Sequence, residues 1–459
     1  PATIRALPKG LTLHPNKAKK PKLPFQPPKP TIATLPNGIK LYLLEDHELP
    51  LIDVHVMVKT GRIYDPIEKV GLAEMTGAVM RSGGFGSLKG DTLDEQLAFK
   101  AAKLSNSISS EHGYAHLSVH TKDMKWGFNR LLGMLRTPRF PADKIVLQGA
   151  KMIEAYRRRY DNPFRLAFRK FRTLLYGKNS RWSKAPSPHS IHNIKRQDLV
   201  AFHNMYYHPN HMSFAIVGDF KTKDMIAHMK KWTKSWKPKK ITFPTLKPLP
   251  KRTKPMIALV RRRLPQTLIV VGHLGPKRHT KGLLAGKVMN HILGGPSFAS
   301  RLVSEIRTKR GLAYFAASSL DDGRDRGTFV AFTGTRPDKT GKTLRLLTGI
   351  LKNMHTKGDV STQELTLARQ TLLNSFIFKF NSPAQIVFRK AYYDYYGYPS
   401  NYLELYKKRL TTLTKKDIKT AAKTFIDPSQ FVIMVVGWDP AFDEPLSNFG
   451  KVLKMSLQD

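Results

Sequence analysis

Apolar and polar positions follow two different periods along this 459-residue chain. Val54–Val58, Ala115–His120, Thr267–Gly272 and Thr328–Thr333 alternate with period two and are rich in β-branched residues, which predicts strands. Asp91–Leu104, Pro141–Arg159, Lys281–Leu293 and Ser361–Phe380 place apolar residues three and four apart over longer stretches, which predicts helices. Leu35-Pro-Asn-Gly38 reads as a turn into a strand over Ile39–Leu44. Strands and long helices mixed in this way predict an α+β fold.

The pattern then repeats. Asp198, Pro209 and Gly218 recur as Asp417, Pro428 and Gly437, each at an offset of 219. Gly71-Leu72 and Gly83-Gly84 recur as Gly282-Leu283 and Gly294-Gly295 at an offset of 211. A helix from Lys195 to about Tyr206 leads into a strand over Met212–Val217, and a helix from Lys415 leads into a strand over Phe431–Val436. Shared spacing of this kind predicts an internal duplication, two homologous α/β-layer domains. We expect an extended arm over 1–30, an N-terminal domain over 31–236, a basic linker over 237–255 and a C-terminal domain over 256–459. The arm carries eight Pro, six Lys, one Arg and no acid, a composition that favours polyproline II. The join falls within Met225–Arg263, which holds thirteen Lys or Arg, five Pro and no acid.

Two segments carry candidate chemistry. The second half contains Phe298-Ala-Ser-Arg-Leu-Val-Ser-Glu-Ile-Arg307-Thr-Lys-Arg-Gly-Leu-Ala-Tyr314. The first contains Gly71-Leu-Ala-Glu74-Met-Thr-Gly77-Ala78-Val-Met80. With Tyr206-Tyr-His-Pro-Asn and the internal repeat, they resemble the pitrilysin/insulinase metallopeptidases, the inverzincins, over roughly Thr31 to Val452. The resemblance implies one half of a clamshell that closes over an unfolded peptide. In active members the first segment reads H-x-x-E-H. Those positions here are Glu74, Gly77 and Ala78, and the third ligand of the family, a Glu upstream of Asn162-Pro163, falls on Ala155. Glu154 is one residue off, which turns a helical side chain away by about 100°. Catalytic zinc needs three protein ligands and an open position. Gly77 cannot act as a base and Ala78 offers no lone pair, so we expect no metal and no cofactor in this chain, with Glu74 a solvated carboxylate.

The resemblance also implies a role for Arg307 and Tyr314 in binding substrate. An Arg fork can hold a peptide carbonyl or carboxylate. A Tyr hydroxyl can donate to the oxyanion that forms when water attacks a peptide carbonyl. The plainer alternative pairs Arg307 with Glu305 or a neighbour and packs Tyr314 in the core. Some family members divide the labour, one chain carrying H-x-x-E-H and the other Arg and Tyr. The expected function is therefore a non-catalytic subunit of a heterodimeric zinc metallopeptidase. It is inactive alone, its substrate is an unfolded peptide, and the zinc sits in a homologous partner. The alternatives are a proteolytically inactive scaffold, like the core proteins of the mitochondrial cytochrome bc complex, and a basic adaptor on an anionic membrane or polymer. The non-catalytic subunit of the mitochondrial processing peptidase bears a long glycine-rich loop, whereas only Gly294-Gly-Pro-Ser-Phe298 stands here.

Charge sharpens the partner question. Lys and Arg number 78 against 33 Asp and Glu, a net +45. That excess predicts an acidic partner, an anionic membrane surface or adaptation to an acidic medium. No nucleic-acid recognition motif accompanies it, so nucleic acid is not expected. The absence of Cys excludes disulfides and a thiol nucleophile. No apolar run approaches the ~18 residues of a membrane span. A chain beginning at Pro1 is expected to be a processed or trimmed form, placed in a bacterial periplasm or envelope, with a mitochondrion as the alternative.

Three groups of side chains receive a structural reading. His112, His116 and His120 recur on one strand face and are expected to be surface residues without a metal. His203, His208 and His211 are expected to serve helix termination and packing. Tyr392, Tyr393, Tyr395, Tyr396, Tyr398 and Tyr402 are expected to pack between helices.

Overall fold

The computed structural model describes residues 28–249 and 255–457. Most of the expected arm and residues 250–254 of the basic linker lie outside them. The first half contains β1 (Thr31–Thr34), β2 (Lys40–Glu45), β3 (Leu51–Val58), the short β4 (Gly84–Phe85) and β5 (Leu88–Lys89), β6 (Lys103–Ile108), β7 (Gly113–His120) and β8 (Met212–Gly218). The second contains β9 (Met256–Arg261), β10 (Thr267–Leu274), β11 (Ala313–Asp321), β12 (Thr328–Thr335), β13 (Val432–Gly437) and β14 (Val452–Lys454).

Two six-stranded sheets result, ordered β1-β2-β8-β3-β7-β6 and β14-β9-β13-β10-β12-β11. In each, one parallel pair (β2 with β8, β9 with β13) is followed by antiparallel neighbours. The chain thus folds as an internally duplicated α+β structure. The halves differ at one edge, where β1 pairs antiparallel with β2 while β14 pairs parallel with β9. Each half repeats a left-handed glycine, Gly71 (φ 108°) or Gly282 (φ 80°), at the N-cap of its first long helix, Leu72–Ser82 or Leu283–Gly294.

The halves exchange a helix. Pro163–Tyr176, which follows Asn162 as N-cap, packs its apolar face on β10 and β13 of the second sheet. Leu166, Phe171, Leu174 and Leu175 join Val260, Val270, Met434 and Val436 in one buried cluster. Pro383–Tyr395, capped by Ser382, packs on β2, β3 and β8 of the first sheet through Val387 and Ala391. Each half also keeps its own core on the opposite sheet face.

The expected helix over Asp91–Leu104 needs correction. The helix ends at Phe99, Ala101 turns the chain at φ 49°, and Lys103–Ile108 becomes the edge strand β6. Leu104 and Ile108 point inward there with period two, a pattern too short and too polar to outweigh the apolar spacing before it.

Candidate functional site

The Leu72–Ser82 helix is fixed at its start by a buried carboxylate. Asp65 accepts hydrogen bonds from Gly71 N and Ala73 N, both at 2.9 Å, and so caps two free N–H groups. Burial pushes its carboxyl pKa up to about 7 against the opposing pull of those two bonds. On this helix Glu74 is exposed and Ala78 half-buried. Gly77 is buried against β6, where a Cβ would stand 3.0 Å from both the backbone nitrogen and Cγ1 of Ile108. Its carbonyl accepts a hydrogen bond from Asn106 Nδ2 at 2.9 Å. Ala155 is exposed on the helix Ala142–Arg157, and Glu154 beside it pairs with Arg158 at 2.6 Å. The residues at these four positions do not fit zinc, because Glu74 alone offers a side-chain donor. Among the described residues no three His, Asp or Glu gather as a metal cluster.

The second segment builds a different surface. Leu302 and Ile306 are fully buried and anchor a π-helical turn over Val303–Thr308. That turn leaves Arg307 facing outward. Its guanidinium carbon lies 4.6 Å from the Tyr314 ring centroid and 4.8 Å from that of Phe298. Both rings are more than 70% exposed, at 74% and 72%. Tyr314 stands out because the register of β11 against β12 shifts between Ala313 and Ala316, a bulge that re-aims the side chain on an edge strand. Next to it, Phe315 turns the other way and meets Phe164 of the exchanged helix at 5.1 Å.

The plainer alternative for the pair does not hold. Glu305 is taken by Lys309 at 2.6 Å and by Arg310, and Tyr314 is not in the core. Among the described residues the Arg307 guanidinium makes no ion pair and no hydrogen bond. Sequence reasoning missed Phe298 as a wall of this surface, although an aromatic beside Gly-Gly-Pro-Ser was a readable signal. It also missed Asp65, whose capping role depends on a loop closing onto the helix.

The histidines do not converge. His112 precedes β7 and hydrogen-bonds Tyr396 Oη at 2.8 Å. His116 faces Asp53 at 3.2 Å and stacks on His55 at 4.7 Å, and burial holds the His55 pKa down to about 4. His120 accepts from Lys122 N. His203 and His208 meet the carbonyls of Leu135 and Asn204, both at 2.9 Å, and His211 meets Lys239 O at 3.1 Å, as packing and termination require. The tyrosines from Tyr392 to Tyr402 form a chain of ring contacts, with Arg278 over Tyr396 at 4.0 Å.

Comparison with known proteins places this architecture. Residues 193–372 match the family model described as the peptidase M16 inactive domain. Over that stretch the chain is similar to the M16 peptidase family. It is 24% identical to an uncharacterized zinc protease of Mycobacterium leprae over 60% of this chain. That match spans 62% of the relative's length. It is 22% identical to a non-peptidase homolog of Helicobacter pylori, over 85% of this chain and 90% of the relative. The crystal structure of an M16 inactive domain from Pseudomonas fluorescens superposes with a TM-score of 0.81 at 25% identity, over 90% of this chain and 98% of that one. The periplasmic protease PqqL of Escherichia coli shares the fold at a TM-score of 0.76 and 17% identity, over 95% of this chain but 49% of its own. The fold is thus that of one half of a clamshell. Among the described residues no helix is long and apolar enough to cross a membrane.

Proposed function

We propose that this chain is the non-catalytic subunit of a heterodimeric zinc peptidase, lending Arg307 and Tyr314 to a homologous partner that carries the ligand helix. One observation carries the reading. The Arg307 guanidinium has no acidic or carbonyl partner among the described residues and lies open between two exposed rings. Stacking holds the planar fork while leaving its in-plane donors free for a peptide carbonyl or carboxylate. The Tyr314 hydroxyl beside it can donate to an oxyanion. A longer single-chain protease of which this fold covers 49% supports the need for a second half. The substrate is an unfolded peptide, and the compartment a bacterial periplasm or envelope.

Native mass spectrometry of the complex taken from its source tests this. The expected species pairs this chain with a homologous chain holding one zinc. A complex without zinc and without cleavage of unfolded peptides would instead make the chain a scaffold.

A further inference from the structure

The loop that carries Phe298 has a second face. Ser297, Ala299 and Ser300 line a cleft of about 620 Å³, counted to its open mouth, between the Leu283–Gly294 helix and the start of the Thr362–Ile377 helix. Two of its lining side chains have no hydrogen-bond partner among the described residues. Ser300 is 2% exposed and its hydroxyl has no hydrogen-bond partner. His291 is 8% exposed, and neither ring nitrogen is hydrogen-bonded among the described residues. Burial holds the His291 pKa below its ordinary value, so the ring is neutral, with one donor and one acceptor. Ile292, Leu367 and Ala368 supply an apolar wall.

The cleft offers no net charge. Its one carboxylate, Glu364, is spent on both arms of Arg301, at 2.7 and 2.9 Å, and on Ser361 N at 2.8 Å. A charged ligand would find no counter-ion, and an aliphatic one would leave the Ser300 hydroxyl unpaired. A carboxamide carries donors and an acceptor on one planar head and can satisfy Ser300 and His291 together. Buried unpaired polar groups of this kind are the usual source of polar specificity.

We propose that this cleft is a side-chain subsite for Gln or Asn in an extended peptide, set next to the Arg307 clamp by the shared 297–300 loop. The proposal rests on the clamp reading for its peptide. Fluorescent Ala/Gly peptides carrying one Gln, moved position by position, with Leu and Glu counterparts, are titrated against the full chain by anisotropy. At one position Gln should bind about 10-fold tighter than Leu or Glu. Ser300→Ala should bring Gln to within about twofold of Leu, and Leu367→Trp, at the half-exposed rim, should abolish the preference without threatening the core. Arg307→Ala should weaken every peptide alike and keep the ratio. Uniform binding without a Gln preference, or a preference that survives both cleft variants, overturns the subsite and leaves the clamp standing. Unchanged affinities in Arg307→Ala with the preference intact overturn the clamp alone. Failure of every peptide to bind overturns both.

Discussion

Arg307 and Tyr314 meet face to ring, the guanidinium carbon 4.6 Å from the ring centroid, and among the described residues neither makes another ion pair, while the Tyr314 ring stays outside the core. A buried cation would need an acid, and the neighbouring Glu305 is turned to Lys309 and Arg310. The pair is held by a π-helical turn on one side and a β-bulge on the other, both local distortions of regular structure. Such distortions weaken their elements and are often found where a side chain must be aimed.

If the pair completes a partner's site, its loss should damage turnover more than assembly. Tyr314→Phe removes one hydroxyl from an exposed ring, so folding and pairing should hold while kcat falls by about 100-fold. Arg307→Ala should chiefly raise KM, because a binding fork is lost in the ground state as well. The measurement is steady-state cleavage of an unfolded peptide by the reconstituted heterodimer, with pairing checked by size. Normal rates in both variants would reject the shared site.

The exchanged helices predict that damage crosses between halves. Phe171 is 1% exposed and packs in the cluster with β10 and β13, far along the chain. Phe171→Ala should destabilise by about 3–5 kcal/mol. Amide exchange should speed up in β10 and β13 of the second half. Faster exchange confined to the first half would contradict this coupling.

The duplication was legible because it rests on spacing, and offsets of 211 and 219 survive any drift in side chains. The strand interiors were legible for the same reason. Leu104 and Ile108 were not, since edge strand β6 presents only two apolar residues among Lys, Ser and Asn. Helix exchange was also invisible, because amphipathic spacing in Pro163–Tyr176 says that one face is buried but not against which sheet. The motif residues Arg307 and Tyr314 were read from their segment. The absence of an ion pair at Arg307 among the described residues, and the polar cleft behind Phe298, depend on contacts between distant parts of the chain.

Charge predicts a salt effect on association. With a net +45, binding of an acidic partner should weaken as salt rises to physiological strength, where the screening length falls to about 8 Å. Affinity that ignores salt would assign the charge to solvation or acid adaptation.

Asp65 predicts a pH effect on stability. Its folded pKa, about 7, lies above the ordinary 3.8 of an Asp carboxyl, mainly because the group is buried. Between those values the folded state binds the extra proton, so the contribution of Asp65 to stability is fully present below about pH 4 and is lost as pH rises through 7. Asp65→Asn removes this titration. Denaturation at pH 5 and pH 8 should show the wild type losing more stability over that interval than the variant. Equal losses would mean that the buried carboxyl does not titrate in the folded state.

Restoring the family's ligand helix should not restore zinc. Glu74→His and Ala78→His lie one turn apart and would give two imidazoles on one helix face. Catalytic sites need a third ligand, and exposed Ala155 supplies none while Glu154 is held by Arg158. Gly77→Glu meets a second obstacle, since even its Cβ would press on the Ile108 backbone at 3.0 Å. Either β6 gives way or the helix shifts, at a cost of about 1–3 kcal/mol. The triple variant should therefore bind no stoichiometric zinc by elemental analysis, melt at a lower temperature than the wild type and cleave no peptide alone. Adding Ala155→Glu completes the ligand set but leaves the crowding at Gly77, so any zinc it holds should come with a lowered Tm. One tightly held zinc in the triple variant, with an unchanged Tm, would show that neither obstacle exists.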